Sequence, residues 1–218
     1  SVDLYQHNFQ DMIIGIPVPR ETGFPYYLTN AGKMKNTGVD FSLKSRIINS
    51  EFKWDLGFIA SMYRNEVTDL GGQEYITNIS GAQVLTKVGQ PLGVFYGYRT
   101  DGVYTTQQQA VSEGLSIQKG AVIYPFGAGD VRFVNTDNSN NIIDENDRVI
   151  LGNPNPDLFG SIFTNLKYKQ WNLDVFFNYS LGNDIYNYTR NQLESMSGYN
   201  NQTLAVLNRW KADGDVTE

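Results

Sequence analysis

The chain has 218 residues and a formal net charge of −6, a balance that excludes the basic face a nucleic-acid-binding protein needs. It has no cysteine, so neither a disulfide framework nor a thiolate metal site is available, and 14 Tyr and 12 Phe beside 21 Gly favour strands and turns over helices. No stretch approaches the roughly 18 consecutive apolar residues of a membrane helix, whereas the strands of a transmembrane barrel alternate and stay quiet in hydropathy.

The N-terminus, SVDLYQHNF, has neither a charged start nor an apolar signal core, so an export signal is expected upstream of it. Residues 1–14 read as a strand with Val2, Leu4, Met12 and Ile14 as its apolar members. Residues 15–35 carry Gly15, Pro17, Pro19, Gly23, Pro25 and Gly32 and are predicted as loop. From residue 36 to 49 the alternation is strict: Val39, Phe41 and Leu43 share one face, and Asp40, Ser42, Lys44 and Arg46 the other. A tight turn at Asn49-Ser50 leads into a strand over 51–64, with Phe52, Trp54, Leu56, Phe58, Ala60 and Met62 on one side. A second hairpin is predicted from 157–168 and 171–182, joined by a short turn at Lys169-Gln170.

These five segments run about ten to thirteen residues, against a mode of roughly five to six in globular sheets. A tilted strand crossing a bilayer needs about nine to eleven. Trp54, Tyr63, Tyr168, Trp171 and Tyr179 lie toward strand ends, where a barrel carries its aromatic girdles. Parity puts the short turns at one membrane face and the segments 15–35, 65–156 and 183–218 at the other. Outer-membrane barrels keep short turns periplasmic, so the long segments are expected outside the cell. Five strands cannot close a barrel, and further strands are expected from a longer chain. Within the long segments, 107–113 is a short polar helix candidate and Thr203–Lys211 an amphipathic one, with Leu204, Leu207 and Trp210 on a face.

The stretch 129–157, GDVRFVNTDNSNNIIDENDRVILGNPNPD, crowds acids and amides at the spacing of a calcium loop. With Asp147 at loop position 12, Asp144 falls at 9, the Ile142 carbonyl at 7, Asn140 at 5 and Asn138 at 3, while Thr136 stands at position 1 where an Asp belongs. The competing reading is an Asx-rich turn that bonds only to itself. Catalysis finds no foothold. His7 is the lone histidine and sits on a predicted strand, and neither a cysteine nor a Gly-x-Ser-x-Gly elbow is present. Tyr26, Tyr27, Phe95, Tyr96, Tyr98, Tyr104, Tyr186 and Tyr188 fall in or beside the long segments. Phe95, Tyr96, Tyr98, Tyr104, Tyr186 and Tyr188 are the candidate contacts for a partner or ligand, set against packing of the loops on themselves.

In order, NTGVDFSL, VGQPLGVFYGYRTDGVY, GDVRF, DENDRVILGNPNPD and LDVFFNYSLGNDIYN resemble the C-terminal half of SusC-like TonB-dependent transporters of the Bacteroidetes outer membrane. The resemblance implies an all-β fold, an antiparallel transmembrane barrel of about 22 strands, of which this chain is an incomplete portion, with a plug domain outside it. It further implies import of glycan oligosaccharides or peptides, a SusD-like surface lipoprotein as lid, and the TonB complex acting through the absent N-terminal region. Paired transporter–lipoprotein units would form a dimer, and no cofactor is required. The 87–104 and 183–200 segments are expected to help form the partner face. Family members usually read Asp-x-Asn-Gly-Asp-Gly at the metal stretch; here TDNSNN stands there, without the first acid and both glycines. The reading from a different class is a secreted calcium-binding β-sandwich that recognises carbohydrate.

Overall fold

The computed structural model describes residues 1–24, 26–72, 74–137 and 139–217. Three long strands open the chain: β1 (Val2–Pro17), β2 (Tyr26–Asn49) and β3 (Phe52–Leu70). Short ones follow: β4 (Tyr75–Ile79), β5 (Ala82–Thr86), β6 (Val94–Tyr98), β7 (Thr100–Val103), β8 (Ser116–Lys119), β9 (Val122–Pro125), β10 (Val131–Phe133), β11 (Ile142–Ile143) and β12 (Arg148–Gly152). The hairpin β13 (Leu158–Tyr168) and β14 (Trp171–Leu181) comes last. Helices α1 (Gln107–Glu113) and α2 (Tyr188–Glu194) are single pieces of two turns. No helix among the described residues is long and apolar enough to cross a membrane.

The chain divides into two compact units. Unit 1 holds residues 1–77, 84–94 and 152–185, and unit 2 holds 78–83, 95–151 and 186–218. Unit 1 is built on an open antiparallel sheet of order β1-β2-β3-β13-β14. Its register places Phe41 opposite Ala60, Leu43 opposite Phe58, Phe58 opposite Ile162, and Ile162 opposite Phe177. Because side chains alternate along each strand, these pairs make one apolar face across four strands. The opposite face carries Asp40, Ser61, Asn165 and Asp174.

The strands depart from their expected limits at the end opposite the short turns. β2 begins at Tyr26 and β1 runs to Pro17, so much of the 15–35 segment is paired strand and not loop. β3 likewise continues to Leu70. A bilayer crossing takes about nine to eleven residues, so more than half of the 24-residue β2 stands beyond what a crossing uses. At the other end, Tyr168 pairs with Trp171 and leaves a two-residue turn.

Three close approaches hold the sheet's faces together. The Phe163 ring lies over Gly57, Tyr5 over Gly38, and Tyr179 over Gly160, where any side chain would overlap the ring or, at Gly160, the Ile59 carbonyl. Tyr179 completes its contact by donating to the Ile59 carbonyl at 3.0 Å.

Unit 2 has its own core: Tyr104, Ala110, Phe126 and Ile143, with Tyr98, Leu115, Ile117 and Phe133 packed against them. The parallel pair β11·β8 and the antiparallel pairs β8·β9 and β7·β10 frame it. Thr106 caps α1 through the Gln109 amide, and Gly114 closes it in the left-handed conformation. The helix expected over Thr203–Lys211 is instead a 3₁₀ segment, Leu204–Asn208, that buries Val206. Leu204 and Leu207 point to solvent, so the amphipathic face expected there is absent.

Candidate functional site

The five-stranded sheet is a wall with two chemistries. On the apolar face Leu43, Met62, Ile162, Leu173, Val175 and Phe177 are all exposed, and no layer of the unit covers them. Two polar tips set into this face are bonded within it: the Trp54 indole N–H donates to Thr164 Oγ1 at 2.8 Å, and the Tyr179 hydroxyl to the Ile59 carbonyl. Phe52, Trp54, Leu56 and Phe58 therefore lie in an uncovered sheet face, and the sandwich reading, which needs them inside a closed core, is not favoured.

The polar face carries a ladder near the short turns. Arg46 grips Asp55 with two contacts, Nε–Oδ1 at 2.7 Å and Nη2–Oδ2 at 3.3 Å. Asn165, directly opposite both Asp55 and Asp174, donates to Asn172 Oδ1 and Asp174 Oδ1, and Asn172 donates to Asp174 Oδ2 at 2.6 Å. Sequence reading missed this ladder. Its members are separated by up to 128 positions and align only once the register is known. Further along this face, the Phe163 and Phe176 rings stack at 6.4 Å, and His7 lies 5.0 Å from Tyr5. His7 is exposed and touches the Tyr5 and Phe9 rings.

Three of the motifs that carry the family resemblance meet within unit 1. Asn65 Oδ1 accepts from Leu92 N at 2.6 Å, Asn155 Nδ2 donates to the Leu92 carbonyl at 3.1 Å, and Tyr63 donates to Asn155 Oδ1 at 3.3 Å. The Asn153 amide donates to Asp184 Oδ2 and its carbonyl accepts from Asp184 N, both at 2.8 Å. Gly182 offers no side chain where the Asp157 carboxylate lies against it. GQPLG, NPNPD and LGND are thus one polar knot at the head of β3 and β13, beside a cavity of about 410 Å³ lined by Tyr63, Asn65, Pro91, Asn155 and Asp157 among others.

The acidic loop closes on itself. Asp147 is fully buried, and Oδ1 accepts from Thr136 N at 2.7 Å and Asp137 N at 3.3 Å while Oδ2 accepts from Asp144 N at 3.0 Å. Asp144 caps the 3₁₀ turn Glu145–Asp147 through Asn146 N, Asn140 Oδ1 accepts from Ile142 N, and Asn135 Nδ2 donates to the Asn140 carbonyl. The Ser139 hydroxyl and amide hold the Asp137 carboxyl below its ordinary range. Asn138 lies outside the described residues. Among the described residues no group of three His, Cys, Asp or Glu side chains could hold a metal ion. The donor set does not fit calcium as assigned, because the bidentate position is turned inward onto backbone amides.

The aromatic candidates separate. Tyr104 is fully buried, a core residue and no contact surface; its hydroxyl donates to Glu113 at 3.2 Å, and burial first, then Glu113, pushes its pKa up to about 12. Tyr98 sits between Phe133 and the Arg148 guanidinium, while Phe95 and Tyr96 are half-buried. Tyr186 donates to the Ser80 carbonyl at 3.3 Å, and Tyr188 is exposed. What stands out instead is the tail, where Ile185, Tyr199, Leu204, Leu207 and Val216 are exposed apolar side chains. Part of that tail is anchored: Trp210 packs on Gly129 and donates to the Thr105 carbonyl at 3.1 Å.

The chain is similar to known proteins along its whole length. It is 32% identical over 227 residues to TonB-dependent receptor P3 of Formosa agariphila, covering 100% of this chain and 22% of that protein. It is 25% identical over 191 residues to TonB-dependent receptor SusC of Bacteroides thetaiotaomicron, covering 85% of this chain and 18% of that protein. The chain thus spans about a fifth of the length of the curated relatives it matches. Among solved structures, that of the RagAB peptide transporter superposes at a TM-score of 0.72 with 24% identity, over 100% of this chain and 23% of the other. The RagAB peptide importer in its 'closed-closed' state gives 0.71 with 26% identity, over 98% and 23%. No family model matches the chain. Along its own length the chain is thus similar in sequence to TonB-dependent receptors, SusC among them, and it has the strand architecture of a portion of an outer-membrane β-barrel.

Proposed function

We propose that this chain forms part of the wall and the outward segments of a nutrient importer whose cargo is an oligosaccharide or a peptide. The carrying observation is the two-faced sheet, apolar toward lipid and polar toward a lumen, on strands at least as long as a crossing needs. In this reading β1 and β14, the sheet's edges, pair with further strands of the longer protein, since an open edge in lipid leaves backbone groups unsatisfied. The short turns face the periplasm and the long segments face outward. The chain acts in transport and not as an enzyme.

A SusD-like lipoprotein is the proposed partner, in pairs that dimerise, with TonB acting through another part of the receptor. Of the segments expected to form its face, 87–104 commits Tyr98 and Tyr104 to unit 2's core, and the exposed apolar side chains between Ile185 and Val216 offer the better docking surface. The loop around Asp147 is proposed to hold its shape without calcium. The import reading is tested with cells that lack the receptor or TonB, supplied with labelled peptide and labelled oligosaccharide. Uptake of one cargo class should be lost in both strains. Uptake of both classes undiminished in the receptor deletion would sink the reading.

A further inference from the structure

Arg148 opens β12 in unit 2 with a guanidinium largely withdrawn from water: its side chain keeps 18% exposure. The guanidinium carbon lies 5.2 Å from the centre of the Tyr98 ring, and Phe133 packs edge-on against that ring at 5.6 Å, so the cation sits on a braced aromatic platform. Its Nε is buried with no hydrogen-bond partner. The acid that pairs with it, Glu145, reaches Nη2 only at 3.6 Å, beyond hydrogen-bond length, and is itself 86% exposed. The buried Nε thus has no acceptor, and the Glu145 pair compensates the guanidinium only weakly.

Beside it opens a cavity of about 450 Å³, lined by Tyr98, Gln118, Asp144, Glu145, Asn146 and Arg148. Gln118 and Asn146 bring neutral amides to its wall. Asp144 has one oxygen committed to the Asn146 backbone amide at 2.7 Å. Glu145, exposed and loosely held, can leave by rotating into solvent.

We propose that this cavity is an oxyanion site, in which a carboxylate or sulfate group of a soluble ligand displaces Glu145 and takes the Arg148 fork. A planar fork of N–H donors matches such groups, and the Tyr98 platform holds it in one orientation. The site belongs to unit 2 alone and does not depend on what the receptor transports.

The test is calorimetric titration of the intact receptor in detergent, at constant ionic strength, with glucuronate, glucose 6-sulfate and glucose as probes. At least one anion should bind at least about tenfold more tightly than glucose, and whichever is preferred identifies carboxylate or sulfate as the ligand group. Arg148→Gln should weaken that binding by about tenfold or more, and Arg148→Lys, which keeps the charge and loses the fork, by less. Glu145→Gln, on an exposed side chain that leaves the fold intact, should tighten binding a few-fold by removing the competing carboxylate. Equal binding of glucose, no anion binding, or indifference to Arg148→Gln overturns the proposal. Should the Arg148 variants fail to fold, an unchanged or weaker affinity in Glu145→Gln overturns it by itself.

Discussion

Asp147 shows how one side chain can organise a loop. Its two carboxylate oxygens collect backbone N–H groups from both ends of the 136–147 turn, the arrangement that makes a buried carboxylate favourable. Asp147→Asn replaces one acceptor by a donor aimed at a donor, with an expected cost of about 1–3 kcal/mol. Hydrogen exchange should report it as loss of protection at the Thr136, Asp137 and Asp144 amides, and chelator should leave those amides unchanged in the wild-type protein. Protection that falls on adding chelator would instead put a cation on the loop. Tyr104 gives a second residue-scale expectation. Its pKa is raised from the ordinary value to about 12, so the folded state holds a proton the unfolded state gives up. The stabilisation is complete below about pH 10 and lost as pH rises to about 12, worth roughly 3 kcal/mol in full. Tyrosinate absorbance should show Tyr104→Phe removing a late-titrating group. A difference centred near pH 10 would contradict the buried, Glu113-linked hydroxyl.

At the scale of elements, the strands follow from alternation and their faces from register. Residue 162 lies on the apolar face and Asn178 on the polar one, on neighbouring strands. Ile162→Lys should therefore cost about 2–4 kcal/mol or block insertion, while Asn178→Lys costs little. Heat-modifiable mobility on gels, which reports folded barrel, distinguishes them, and equal behaviour of the two variants would refute the sidedness. Gly57 is fixed by the Phe163 ring above it, so Gly57→Leu should prevent proper pairing of β3 with β13, whereas Gly23→Ala, at a position with open space around it, costs only its positive-φ strain. The extra reach of β1 and β2 was hidden because Gly32, Pro17 and Pro25 read as loop chemistry, while Tyr26, Tyr27 and Leu28 beside them are good strand formers. The 203–211 helix failed for another reason. Its periodic leucines had no surface to bury against, and Val206 and Trp210 took the packing instead.

For the whole molecule, the exposed apolar band predicts where lipid sits. Trp171 lies at the short-turn end of the wall and is 74% exposed. In bilayers containing brominated lipid, the fluorescence lost on Trp171→Phe should be the strongly quenched fraction, whereas that lost on Trp210→Phe, from a side chain tied to Gly129 and Thr105 in unit 2, should be unquenched. Equal quenching at both would remove Trp171 from the membrane interface. The sequence alone determined the strand-rich class, the two alternating faces, the short turns and the ordered motifs that point to the receptor family. Each of those is local, a matter of period, turn chemistry or adjacency along the chain. Tertiary structure decided the rest. It showed that GQPLG, NPNPD and LGND close into one knot, that Tyr104 is core, and that Asp147 faces amides. It also set the unsatisfied Arg148 beside a cavity. These depend on groups brought together from distant positions, and neither a tyrosine nor an acidic loop carries in its own residues the information of what will cover it.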